Sequence, residues 1–180
     1  MKMMFLLMSL PMCLSAQIDF LEFINSIDWS STENDFITKH SLQVKPCKHF
    51  YSNYYKTKTD YEIVGINLGN KEYTASIFVD SASLKLNSLF FTIENNQKNK
   101  NTLEDALKLS KEMDSLLVSL LGEPDKRMDE LNNKYVNSLN RIWYKKNYLI
   151  EVLHMFSSDS HLYSLSVKGI ENKSADFRVA

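Results

Sequence analysis

Residues 102–121 carry a long helical repeat, and the stretches on either side of it alternate with period two. Leu103, Ala106, Leu107, Met113, Leu116, Leu117, Leu120 and Leu121 fall three and four apart along one stripe. Thr102 stands at the cap position with Asp105 able to reach back to it, and Gly122 and Pro124 punctuate the other end. A helix with so apolar a stripe must lie on something apolar. The flanking period-two stretches offer a sheet for it to cover.

Ahead of that helix, Tyr61, Ile63 and Gly65 alternate with Glu62, Val64 and Ile66, then Leu68, Gly69, Asn70 and Lys71 predict a type II′ hairpin turn with glycine first. Tyr73, Ala75, Ile77 and Val79 alternate with Thr74, Ser76 and Phe78, and a turn over 80–83 leads into a further apolar run over 84–93. Behind it, strands are predicted over 142–145, 148–156 and 162–168. Tyr163, Leu165 and Val167 alternate there with Ser164, Ser166 and Lys168, so the last strand has one wet face. The polar residues 95–101 read as a connector, and Asp125, Asp129 and Glu130 as solvated charges in a polar loop before Asn140.

Ile18, Phe20, Leu21, Phe23, Ile24 and Ile27 predict a short amphipathic helix. Ser30 followed by Glu33 is a capping-box pattern, predicting a second helix that carries Phe36, Ile37 and His40 inward and stops before Pro46. The expected fold is α+β: an antiparallel sheet of two meanders with helices packed on one face.

Residues 1–16 have the three-part order of a secretion signal: Lys2 at the start, an apolar run from Met3 to Met12, and the small-residue exit Ser15, Ala16. That run is well short of the ~20 residues that span a bilayer. Bulky Met12 before Cys13 argues against lipid attachment at that cysteine. The expected mature chain is one domain over 17–170 with a tail over 171–180, exported to the periplasm or beyond and without a transmembrane segment. Cys47 is then its one cysteine, so no internal disulfide can staple it. Without Lys2 the charge balance is 20 basic against 22 acidic side chains, which gives nucleic acid no electrostatic foothold.

Three groups could carry chemistry. Phe50, Tyr51, Tyr54, Tyr55 and Tyr61 interleave with Lys45, Lys48, Lys56 and Lys58; such a mixture can grip a protein or polymer, or can be an edge strand that uses lysine to discourage sheet pairing. His154 and His161 flank a turn containing Asp159, the arrangement to test for a metal ion. His154 nevertheless shares its parity with Ile150, Val152 and Phe156 on a packed side. Cys47 sits among Lys45, Lys48 and His49, cations that favour a thiolate, although no second cysteine stands ready to resolve an oxidised sulfur. There is no serine elbow, phosphate loop or zinc-protease helix, and no cofactor is expected.

In its order of helices, strands, helix and strands, in the Trp29-Ser30-Ser31 helix entry and in the Leu121-Gly122-Glu123-Pro124 exit, the chain resembles exported bacterial proteins of the β-lactamase-inhibitor-protein type, a group that includes small outer-membrane assembly lipoproteins. The resemblance implies a binding or scaffold protein rather than a catalyst. The expectation is therefore an exported, non-enzymatic protein of the bacterial cell envelope that recognises a protein or envelope component through its sheet face or the aromatic-lysine segment. The alternative is a small envelope hydrolase with a carboxylate or histidine site.

Overall fold

The computed structural model describes residues 18–52, 57–92, 103–131, 136–156 and 161–170. The segment expected to be a secretion signal, with Cys13, and the expected connector over 95–101 and tail over 171–180 lie outside them. Among the described residues the elements run β1 (Ile18–Asp19), α1 (Phe20–Asn25), α2 (Glu33–Lys39), β2 (Val44–Ser52), β3 (Thr57–Leu68), β4 (Lys71–Asp80), β5 (Leu86–Thr92), α3 (Leu103–Leu121), β6 (Lys126–Glu130), β7 (Asn137–Tyr144), β8 (Tyr148–Phe156) and β9 (His161–Gly169). The chain is α+β, with nine strands in one mixed sheet ordered β1, β3, β4, β5, β9, β8, β7, β6, and β2 alongside β3.

Local chemistry sets the helix starts. Asp19 caps α1 by accepting from the backbone N–H of Leu21 at 2.9 Å and of Glu22 at 3.1 Å. The cap of α2 is Thr32, not Ser30: Thr32 Oγ1 accepts from the Asp35 N–H and donates to the Asp35 carboxylate. Ser30 is held back by Asp28, whose Oδ1 takes both its N–H and its hydroxyl, so the turn closes before the helix can begin. Gly69 takes φ +65° in the β3–β4 turn while Asn70 does not, as a type II′ turn requires.

Two departures from simple alternation have physical causes. Ile63 and Ile66 are both fully buried, because the β3–β4 register shifts between them at Gly65, which takes φ +80°. The polar loop expected around Asp125 and Asp129 contains β6, a strand whose five residues are all exposed and which shows no hydrophobic period. Ladder pairing with β7 makes it a strand, and Asp129 is tied by an ion pair to Arg141. Pro46 lies inside β2 rather than after a helix, tolerated because β2 is at the margin of the sheet and bulged between Pro46 and Phe50.

The inner side of the sheet presents Ala75, Ile77, Leu89, Phe91, Leu165, Val167, Ile150 and Trp143, all buried, in one cluster with Phe20, Phe23, Phe36, Met113 and Leu117 of the helices. Phe20 meets Phe91 edge to face with ring centroids 5.4 Å apart. At the α3 end, Trp143 donates its indole N–H to the Gly122 carbonyl at 2.8 Å.

Candidate functional site

Side chains directly opposed in a ladder share a face, so the pairings define what the outer side of the sheet carries. One row across six strands reads Ser76, Phe90, Ser166, Glu151, Ile142 and Lys126. The next reads Phe78, Ser88, Lys168, Leu149 and Tyr144. Serines hold the middle of the sheet, with apolar side chains to either side. Phe90 is 37% exposed and Tyr144 45%.

The outer face is close to neutral. Glu151 is ion-paired with Lys168 and accepts from Asn140 Nδ2 at 3.1 Å. Burial works against its charge, but Lys168 and then Asn140 outweigh burial and hold the carboxyl below its ordinary value. A surface of aromatic and aliphatic groups around short hydroxyls, with Glu151 already paired to Lys168, suits a desolvating contact with another macromolecule.

The inner side holds a different charge cluster. Arg141 is 7% exposed, pairs with Asp129 of β6, and places its Nε 3.2 Å from Asp114 of α3. Burial raises the Asp114 carboxyl despite Arg141, and burial chiefly raises the Tyr163 phenol beside it. This cluster ties the helix to the sheet.

Two clefts meet at Trp29. One of about 370 Å³ is lined by Trp29, Asp80, Ser83, Lys85, Leu86, Asn87 and Gly169, the other of about 200 Å³ by residues including Asn25, Lys145 and Tyr148. Gly169 lets the indole close on the strand, since a Cβ there would stand 2.9 Å from Trp29 Cε3. In the larger cleft Asp80 Oδ1 is occupied as a turn cap, accepting from Ala82 N–H, Ser83 N–H and Ser83 Oγ–H.

The aromatic and lysine residues expected to bind are only partly placed. Lys45 and Lys48 are exposed on β2, and Phe50 and Tyr51 pair there with Thr59 and Lys58 through the backbone. Tyr54, Tyr55 and Lys56 lie outside the described residues. Lys58 is a fastener, bound to Glu33 at 3.1 Å and Asp60 at 3.0 Å; the Asp60 contact contributes most to raising its pKa. His154 is fully buried between the rings of Phe156 and Tyr163, and β8–β9 pairing sets it opposite Tyr163 while His161 falls opposite Phe156. Asp159 is outside the described residues, among which no group of three metal-ligating side chains occurs. Cys47 is a half-buried free thiol with Sγ 3.9 Å from Thr59 Oγ1.

The sequence offers a sheet face as a binding surface beside the aromatic-lysine segment but leaves its residues unidentified, although a signal was present. Phe78, Phe90, Ile142, Leu149 and Leu153 are apolar at the parity that should meet water. Among the described residues no helix is long and apolar enough to cross a membrane. Family models, curated proteins and solved structures offer no match to this chain.

Proposed function

We propose that this is an exported binding or scaffold protein of the bacterial cell envelope, and that it recognises a protein partner through the outer sheet face. The observation that carries the reading is the two outer-face rows of part-exposed apolar groups among serines, with Phe90 in one and Tyr144 in the other. Aromatic groups that can be desolvated at little entropy cost dominate binding energy at protein interfaces. The signal-like N-terminus supports export, and the resemblance to proteins of the β-lactamase-inhibitor-protein type supports a binding role. In this reading the molecule is two helix-plus-meander halves joined where β5 meets β9. The helices occupy the inner face and leave the outer one to the partner.

The test pairs capture with stability. Tagged full-length protein carrying Phe90→Ser and Tyr144→Ser should melt within a few degrees of the parent and lose the partner captured from the native envelope fraction. A Lys45→Ser, Lys48→Ser variant should keep it. Capture unaffected by the first variant, or abolished by the second alone, would overturn the reading.

A further inference from the structure

The sheet ends in a strand whose charges are arranged to recognise themselves. β6 pairs only with β7 among the described strands, every one of its residues is exposed, and it reads Lys126, Arg127, Met128, Asp129, Glu130. Charged edge strands ordinarily discourage sheet-to-sheet pairing. A strand with two cations, an apolar centre and two anions does the opposite for one partner, an antiparallel copy of itself. We propose that the chain forms a two-fold symmetric dimer in which β6 pairs antiparallel with β6 of a second copy, centred on Met128.

In that register Lys126 opposes Glu130, neither ion-paired among the described residues, while Arg127, held by Glu123, opposes Asp129, held by Arg141, and the two-fold axis repeats each pair. Opposite charges directly across a ladder are favourable and like charges unfavourable, so the pattern also selects the register. Parallel pairing sets each residue against its own kind. Moving the centre to Arg127 or Asp129 sets that charge against itself. A residue-centred axis lets the ladder close whichever alternate residues turn their N–H and C=O groups outward.

The surroundings favour closure. Tyr144 lies just beyond the start of β6, and Leu131 and Val136 just beyond its end; they are 45%, 51% and 38% exposed. The two-fold brings the Tyr144 end of one chain against the Leu131 and Val136 end of the other, which adds apolar burial to a short ladder. The β2 margin, with Pro46, Lys45, Lys48 and a bulge, is ill suited to receive β6, so the contact closes as a dimer rather than growing into a filament.

Lys126 and Glu130 allow a test that spares the fold, since among the described residues neither has an ion-pair partner and both are exposed. Full-length wild-type protein should sediment as a dimer that weakens with added salt. Lys126→Glu alone and Glu130→Lys alone should each weaken dimerisation by about ten- to a hundred-fold with unchanged melting temperature. Mixing those two variants should restore dimers, because each then meets its complement, and the double swap K126E/E130K should dimerise like the wild type. A monomeric wild type would overturn the proposal, and so would a dimer that ignores the single reversals or is not restored by mixing.

Discussion

Phe90 and Phe91 are neighbours in the chain, yet Phe91 is fully buried against Phe20 while Phe90 is 37% exposed. The same split runs through β7, where Asn140 reaches Glu151 on the outer side and Arg141 is buried toward α3 on the inner. One backbone thus carries two chemistries, a core face whose contacts fix the fold and an outer face that the fold can spare. If the comparison is sound, substitutions one residue apart must differ in kind, in stability on one face and in partner capture on the other.

The largest expected effect is on the inner side. Phe91→Ala should cost about 3–5 kcal/mol, read as the loss of unfolding free energy in urea, because it removes a ring packed edge to face and leaves a cavity. A cost under about 1 kcal/mol would show that the two faces are not energetically distinct.

Arg141 comes next. Arg141→Met should cost about 1–3 kcal/mol, since it strands the half-buried Asp114 carboxylate next to Tyr163. Adding Asp114→Leu should recover most of that loss, because removing both partners leaves no uncompensated charge. Recovery of less than half the loss in denaturant titration would mean that Arg141 acts mainly through Asp129.

What was legible in the sequence follows the same division. The stripe of α3 and the alternation of β4 and β8 were readable because burial on one side imposes a period, whereas the wet face expected of β9 is not found: Ser164 and Ser166 are each only 7% exposed, buried like their inward neighbours. Gly65 disguised β3 by slipping its phase so that Ile63 and Ile66 both turn inward. β6 left no period because none of its residues is buried; only its pairing to β7 makes it a strand. The outer-face site was hidden because a strand apolar on both sides resembles any well-buried strand, and which side stays open depends on where the helices lie.

On the outer side Phe90→Ser should cost about 1 kcal/mol or less, measured in the same denaturant series, since its ladder neighbours Ser76 and Ser166 are small and the ring is already partly wet. A loss comparable to that of Phe91→Ala would place Phe90 in a second core and remove the basis for the outer-face site.

The smallest effect separates the faces most finely. Lys168→Met should cost only about 0.5 kcal/mol at neutral pH, because Lys168 is 47% exposed and such pairs are weak. Its signature lies in the acid range. In the wild type Glu151 is held below its ordinary value of 4.5, so its contribution to stability is present above that pH and is lost as pH falls through the lower folded value. Burial is the largest influence on this carboxyl and acts to raise it; with Lys168 gone, only Asn140 opposes burial. The folded pKa should then rise above the unfolded one, and the sign of the dependence should invert: stability from this group is present at low pH and lost as pH rises through the new value. Asp114, raised by burial in spite of Arg141, already behaves in that way on the inner side. Melting profiles of wild type and Lys168→Met from acid to neutral pH should therefore diverge in slope, the variant's carboxyl coming to resemble Asp114. Parallel profiles would show that Glu151 is not governed by Lys168, and that the outer face owes its neutrality to something else.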